Sequence, residues 1–287
     1  MTRLLLAERD EAKLVAALLV DGELAALWVD PLDAPSVQGA TLAVRVKRVE
    51  RDGLYVDCGL AGGGFVDRKD VPADLRVHEG LAALAQVLRD PLDEKGAKLR
   101  LTGPAPAGQT VPAVVRATTA ADRLTALAQG AAVLAWPPAL AADLRHGGLA
   151  ADLAKEPLLA AYGVNDRIAE LLDPVVALPG GARLTLTPTP ALVAVDVDRG
   201  ASREPAAAIN RAAASRLAGE LRLRGLAGLI VVDFLKVPKA ERDGPVAALR
   251  QALAGDAARH KILPMSDLGL VELSRERLGR PLAACWR

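Results

Sequence analysis

The sequence predicts a mixed β and α/β protein, and three observations carry that prediction. Residues 40–71 (ATLAVRVKRVERDGLYVDCGLAGGGFVDRKDV) alternate Val44 and Val46 against Arg45 and Lys47, turn at Asp52-Gly53 and resume through Tyr55, which is β-hairpin chemistry. Residues 191–198 (ALVAVDVD) and 228–234 (GLIVVDF) are apolar runs of strand length that each meet an aspartate, with a helical pattern between them. Their separation is that of one strand–helix–strand unit, which uses roughly 30 or more residues. The chain of 287 residues also exceeds the usual domain of about 100–200, so two or three units are expected.

The opening segment, LVAALLVDGELAALWVD (14–30), reads as short strands around an Asp-Gly turn at 21–22, followed by a Pro-containing link, PLDAPSVQG (31–39). The hairpin of 40–71, with LAALAQVLRD (81–90) and AKLRLTG (97–103), supplies about five short strands, the number expected of an OB-fold. From 104 to 176 the periodicity is weak, apart from a helical stretch at AADRLTALAQG (120–130). Residues 177–198 read as a strand pair ending in the first aspartate strand. A helix from about Pro205 to Arg224 follows, with Ile209, Ala213, Leu217 and Leu221 as its apolar seam and Gly225 as its stop. The second aspartate strand, a helix over about 244–258, a strand at KILPM (261–265) and LGLVELSRERL (268–278) complete the pattern.

Composition narrows the function classes. Hydrophobic residues make up 51% and aromatics 2%, so Leu, Val and Ala must build the core and each aromatic is informative. Cys58 and Cys285 form no CxxC pair, which gives neither a disulfide framework nor a closed zinc site. Acidic Glu8, Asp10 and Glu11 interrupt any signal-like start, and no run approaches the roughly 18 apolar residues of a membrane span, so a cytoplasmic location is expected. Net charge is +1, but residues 199–224 carry six arginines against Glu204 and Glu220, a local basic surface suited to a phosphate backbone or simply a solvated helix face. His78, His146 and His260 lack a second His or Cys at metal-ligand spacing, and the chain has no Gly-rich phosphate loop of either standard kind, which argues against an α/β enzyme of small molecules.

The crossover between the aspartate strands makes them parallel, and ligands of parallel sheets gather at the strands' carboxyl ends, where Asp196 and Asp233 lie. Alternation turns Asp198 to the side of Asp196, with Val195 and Val197 towards the core. A carboxylate ending an apolar run is costly unless partnered, and a shared magnesium ion would serve. The plain alternative is that each aspartate accepts hydrogen bonds from a following turn.

In order and spacing ALPGG, LVAVDVDRG, AINRAAA, LRLRGLAGLIVVDF and LGLVELSRERL, all within 177–278, resemble the catalytic core of the ribonuclease E/G family, with a weaker likeness over 1–103. The resemblance implies an OB-fold RNA-binding barrel (37–104) inserted into a ribonuclease-H-like part (1–36 and, with a shortened 5′ sensor, 105–176), and a DNase-I-like catalytic subdomain (177–287). It implies an endoribonuclease of RNA processing or decay that hydrolyses single-stranded RNA, leaving 5′-phosphate and 3′-hydroxyl ends. Asp196 and Asp233 fall on the family's magnesium ligands, with Mn²⁺ as an alternative ion. Asp198 replaces the family's asparagine, where it adds repulsion towards phosphate that Arg199 would offset.

The same resemblance places RNA contacts at Tyr55, Phe65 and Lys95, and the 5′-phosphate arginine at Arg116. Taken alone, Phe65 reads as barrel core and Arg116 as a surface residue. Arg199, Arg203, Arg275 and Arg277 are the candidates for the phosphate. The family's CPxCxG zinc-link motif is absent, so no zinc is expected and any homodimer would form without a zinc link. Asp198, Asp267 in place of the family's arginine and the shortened middle keep a second reading open: an RNA-binding protein whose catalysis has weakened.

Overall fold

Three β-sheets organise the protein, and each arises from a stretch with its own hydrophobic period. The structure is a computed structural model and describes residues 1–92 and 95–286. The chain opens with β1 (Arg3–Arg9), β2 (Lys13–Val20) and β3 (Glu23–Pro31), an antiparallel meander. Its second turn needs positive φ at Asp21 (49°) and Gly22 (87°), the backbone that tight hairpins favour. Six consecutive buried residues in β2 mark a strand covered on both faces.

The barrel follows. It comprises β4 (Thr41–Val49), β5 (Gly53–Asp57), β6 (Gly64–Asp67), β7 (Ala82–Arg89) and β8 (Ala97–Pro104). Pairing runs β4–β5–β6–β8–β7 and returns to β4, antiparallel except for β6 with β8. This closed five-strand barrel is consistent with the OB-fold expected from the strand count. Leu42, Val44, Val46, Leu54, Val56, Val66, Val87 and Leu99 fill its interior. The weakly periodic stretch that comes next adds β9 (Ala113–Arg116) to β4, so the chain leaves the barrel beside the strand by which it entered.

The helix α1 (Ala120–Ala128) begins with a capping box in which Thr119 and Asp122 exchange hydrogen bonds. The chain then returns to the first sheet: β10 (Ala132–Trp136) pairs parallel with β1, and β11 (Asp152–Leu153) parallel with β10, for an order β11-β10-β1-β2-β3. One face of this sheet packs on α1 and α2 (Pro138–His146). The other packs on α3 (Leu158–Ala161), α4 (Val164–Leu172) and the chain's last helix.

The third sheet holds β12 (Val175–Ala177), β13 (Arg183–Pro188), β14 (Val193–Asp198) and β15 (Gly228–Asp233), with α5 (Ala206–Leu223) crossing between the last two. The helix α6 (Asp243–Leu253), β16 (His260–Ile262), β17 (Leu270–Arg275) and α7 (Leu282–Cys285) end the described chain. The order is β12-β13-β14-β15-β17-β16, and β14 and β15 run parallel as the crossover requires. The predicted seam of α5 (Ile209, Ala213, Leu217, Leu221) is at most 3% exposed and packs with α6 on Val195, Val197, Ile230 and Val232. That buries one face of the sheet. The opposite face, carrying Thr187, Ala194, Asp196, Leu229, Asp233 and Glu272, is exposed.

Among the described residues, no helix is long and apolar enough to cross a membrane. Both cysteines are free and buried.

Candidate functional site

The parallel register of β14 and β15 sets Asp196 directly beside Asp233. Neighbouring strands lie about 4.8 Å apart, and residues facing each other across them project to the same side. The two carboxylates therefore share the open face, near the carboxyl ends of their strands. Val195 and Val232 point the opposite way into the core and hold that orientation, because a one-residue slip would bury the acids and expose the valines. Asp196 has a raised pKa, through partial burial and then the charges of Asp233 and Asp198. Like charges at such proximity disfavour joint ionisation unless a cation joins them. A depression of 350 Å³ lies over this spot, lined in part by Thr185, Thr187, Asp196, Val231 and Asp233.

The donor chemistry fits a hard divalent cation, for which one or two carboxylates completed by water and phosphate oxygens are ordinary ligands. Among the described residues, no group of three or more His, Cys, Asp and Glu is arranged to hold a metal. Asp198 is engaged within the protein. It shares the open face, but Oδ1 accepts from Gly200 N at 2.8 Å and Oδ2 accepts from Arg183 Nη2 at 2.5 Å. These two bonds, the backbone one first, hold its carboxyl below the ordinary range. Arg183 escaped the sequence reading. The signal was present in the hairpin register, since β13 and β14 place Arg183 opposite Asp198.

Asn210 is a second residue that the sequence did not single out. Fully buried on α5, it donates through Nδ2 to the carbonyl of Leu235 at 2.8 Å and accepts from Leu235 N at 3.0 Å. It thereby fixes the chain two residues beyond Asp233.

Not every arginine falls where the sequence suggests. Arg199 donates to the backbone carbonyl of Glu204, so the partner of Asp198 is Arg183 instead. Arg203 is exposed. Arg275 is buried in a two-nitrogen pair with Asp256 and donates to the carbonyl of Leu226. It pairs with Gly228 at the far end of β15, whereas Asp233 pairs with Leu270, so a role at the aspartates is excluded by register. Arg277 donates to the carbonyl of Asp90 on the barrel side.

On the barrel, Tyr55 and Phe65 are cross-strand partners whose rings meet edge to face, with centroids 5.1 Å apart. Phe65 is half-buried on the outer surface, so its reading as barrel core is corrected: Leu54 and Val66, the alternate residues, fill the interior. Arg48 lies opposite Tyr55 with its guanidinium 4.4 Å from that ring, and Lys98 lies opposite Phe65 with its ammonium 4.6 Å away. Four adjacent strands thus carry one transverse row, Arg48–Tyr55–Phe65–Lys98. Sequence reasoning found the aromatics but not their cations, which only the register reveals. Lys95 is exposed and pairs with Leu92 in an isolated bridge just before β8. Arg116 donates through one nitrogen to both oxygens of Asp122, the capping carboxylate of α1.

Comparison with known proteins bears on the third sheet. Residues 144–278 match the model of the Ribonuclease E/G family. The ribonuclease E of Nostoc sp. (strain PCC 7120) is 39% identical over 134 residues, 44% of this chain and 19% of that protein. The ribonuclease E of Escherichia coli (strain K12) is 36% identical over 133 residues, 44% of this chain and 12% of that protein. The ribonuclease G of Haemophilus influenzae is 33% identical over 129 residues, 42% of this chain and 26% of that protein. The chain thus spans a third or less of the length of these relatives.

Proposed function

We propose that this chain, whose residues 144–278 match the model of the Ribonuclease E/G family, is a metal-dependent endoribonuclease that hydrolyses phosphodiester bonds of single-stranded RNA in RNA processing or decay. The observation that carries the reading is the in-register pair Asp196 and Asp233 on the open sheet face. These two carboxylates would hold a divalent cation, Mg²⁺ by preference and Mn²⁺ as the alternative. When bound, the cation supplies Lewis-acid polarisation of a phosphate oxygen and acidifies water for attack. Asp198 acts from outside the ligand set, held by Arg183. Asn210 keeps the segment after Asp233 in place. On the barrel, Tyr55 and Phe65 stack unpaired bases while Arg48, Lys98 and Lys95 track phosphates, which is how single strands are bound without duplex geometry. Arg199 and Arg203 extend the phosphate path beside the aspartates, and Arg116 lies further along the RNA, in exchange with Asp122.

In this reading residues 37–104 are an RNA-binding barrel inserted into a ribonuclease-H-like unit made of 1–36 and 105–176, and 177–287 form a DNase-I-like catalytic subdomain. The strand order β11-β10-β1-β2-β3, interrupted in sequence by the barrel, supports the insertion. A homodimer, where it forms, does so without a zinc link.

The test is cleavage of a short labelled single-stranded RNA by the wild type and by Asp233→Ala, with Mg²⁺ and with chelator. Products that require both Mg²⁺ and Asp233 support the enzyme. Asp198 in place of the family's asparagine, Asp267 in place of its arginine and the shortened middle favour a second reading, an RNA-binding protein whose cleavage has weakened, and tight RNA binding without products under all conditions would select it.

A further inference from the structure

The geometry points to Arg183 as the charge-compensating residue of the aspartate site: its ion pair with Asp198 leaves two carboxylate charges, not three, facing a divalent cation and the RNA phosphate. This rests on reading Asp196 and Asp233 as a cation site. The open face carries three carboxylates on two neighbouring strands, with Asp198 two residues from Asp196 on the same side. One divalent cation neutralises two of them. A third, unopposed, would leave the loaded site negative and repel the phosphodiester that has to approach it. Arg183 answers that charge locally. Cross-strand pairing puts the guanidinium opposite Asp198, and the ion pair occupies Oδ2 while Gly200 N occupies Oδ1. Each oxygen of Asp198 thus already accepts one hydrogen bond, and the positive charge of Arg183 lowers the pull of that carboxylate on a cation bound between Asp196 and Asp233.

The arrangement is not a demand of folding. Arg183 and Asp198 are about half exposed, with side-chain accessibilities of 55% and 46%, whereas the residues that hold this hairpin to the core are the buried Leu184, Leu186, Val195 and Val197. An exposed ion pair contributes little to stability, so its consequence lies in what the site presents to charged ligands.

The pair predicts effects of opposite sign. In Arg183→Ala, Asp198 is released as an extra anionic donor, so the affinity for Mn²⁺ alone rises by about three- to tenfold while KM for single-stranded RNA rises by a similar factor. In Asp198→Asn, the charge of Arg183 is left uncompensated, so Mn²⁺ binds more weakly and KM falls. The double variant Arg183→Ala/Asp198→Asn returns both quantities to within about twofold of the wild type, since it removes one charge of each sign. All effects shrink as ionic strength rises. The measurements use the full chain: Mn²⁺ binding by calorimetry without RNA, and steady-state cleavage for KM. A residue that merely braced the hairpin would lower the melting temperature in both single variants and would not move Mn²⁺ affinity in opposite directions. Unchanged Mn²⁺ affinity and KM in Arg183→Ala, or shifts of the same sign in both single variants, overturn the role of Arg183. Mn²⁺ binding that is indifferent to Asp196→Ala and Asp233→Ala overturns the cation site itself, and this inference with it.

Discussion

Asn210→Ala probes how the core of the third sheet holds the aspartate site, because one buried side chain makes both polar contacts to the segment after Asp233. The native amide satisfies the N–H and the carbonyl of Leu235 at 3.0 and 2.8 Å from a position with no solvent exposure. Alanine removes both partners. A buried backbone group left without a partner costs about 1–3 kcal/mol, and Leu235 is only partly buried, so the lower half of that range applies to each of the two groups. The expected loss is therefore about 2–4 kcal/mol, a large fraction of a typical folding stability of about 5–15 kcal/mol. Urea unfolding reads the total, and hydrogen exchange at the Leu235 amide reads the local release. Because Asp233 lies two residues away, kcat for RNA cleavage falls, whereas KM, to which the barrel row and the unchanged charges of the aspartate site contribute, changes little. A stability loss below about 0.5 kcal/mol with unchanged Leu235 protection and unchanged kcat would refute the reasoning.

Tyr55→Ala removes a stacking face and weakens single-stranded RNA binding by about 1–3 kcal/mol, a factor of roughly five to over a hundred, while Lys98→Ala lowers the slope of log affinity against log salt by about 0.7; fluorescence anisotropy at several salt concentrations checks both. Glu220→Gln discharges a carboxylate that is fully buried among Arg167, Arg216 and Arg224, and costs about 3–5 kcal/mol in chemical denaturation. Burial raises the pKa of Glu220, but the bonds from Arg167 and Arg224 outweigh it and the net shift is downward. Its stability contribution is thus complete above the ordinary glutamate range and is lost as pH falls through the lowered folded pKa, a dependence that Glu220→Gln should flatten. Asp196 has the opposite sign: with its folded pKa raised, the folded state holds the proton more tightly and stability falls as pH rises through that window. Asp196→Asn should therefore melt higher than the wild type at neutral pH, with the gain vanishing below the ordinary value of 3.8. Mg²⁺ at ten times its Kd should stabilise the wild type by about 1.4 kcal/mol and leave Asp196→Asn unmoved, and equal melting shifts in the two proteins would remove the cation from the argument.

What the sequence disclosed depends on the range of the physics involved. Local periodicity sufficed for α5, whose i+4 seam is its buried seam, and for the parallel pairing of β14 and β15, which follows from a short helical crossover. The Asp-Gly hairpin at 21–22 was equally legible, because turn chemistry is local. Features that require the register between strands were not. The row Arg48–Tyr55–Phe65–Lys98 draws on four strands, and Arg183 meets Asp198 only through the pairing of β13 with β14. Arg275 shows the converse: it lies within a family-like motif and reads as a candidate for the phosphate, but register puts it at the other end of β17, tied to Asp256. The stretch from 104 to 119 was opaque because β9 is short and exposed, and its pattern is set by the edge of the barrel it joins, not by its own alternation.

The two surfaces on which function is proposed belong to different sheets, and the ion network between them explains how a barrel inserted by two chain crossings is oriented towards the aspartate sheet. Arg280, just beyond β17, donates to Asp30 at the end of β3 at 2.7 Å and lies 3.6 Å from Asp90 at the end of β7. Asp90 Oδ1 accepts from Val37 N in the entering link, and the carbonyl of Asp90 accepts from Arg277. Arg123 on α1 donates to Ser36. One junction therefore ties β3, the entering link, the barrel, α1 and the end of the aspartate sheet. Burial raises the pKa of Asp30 against the pull of Ser36 N, Arg123 and Arg280, and depresses that of Arg123, so these charges sit where water screens them little. Breaking a buried ion pair from one side is far costlier than breaking an exposed one, which makes this junction a fixed joint and not a hinge. In the proposed function, such a joint would hold the RNA-binding barrel in one position relative to the aspartate sheet.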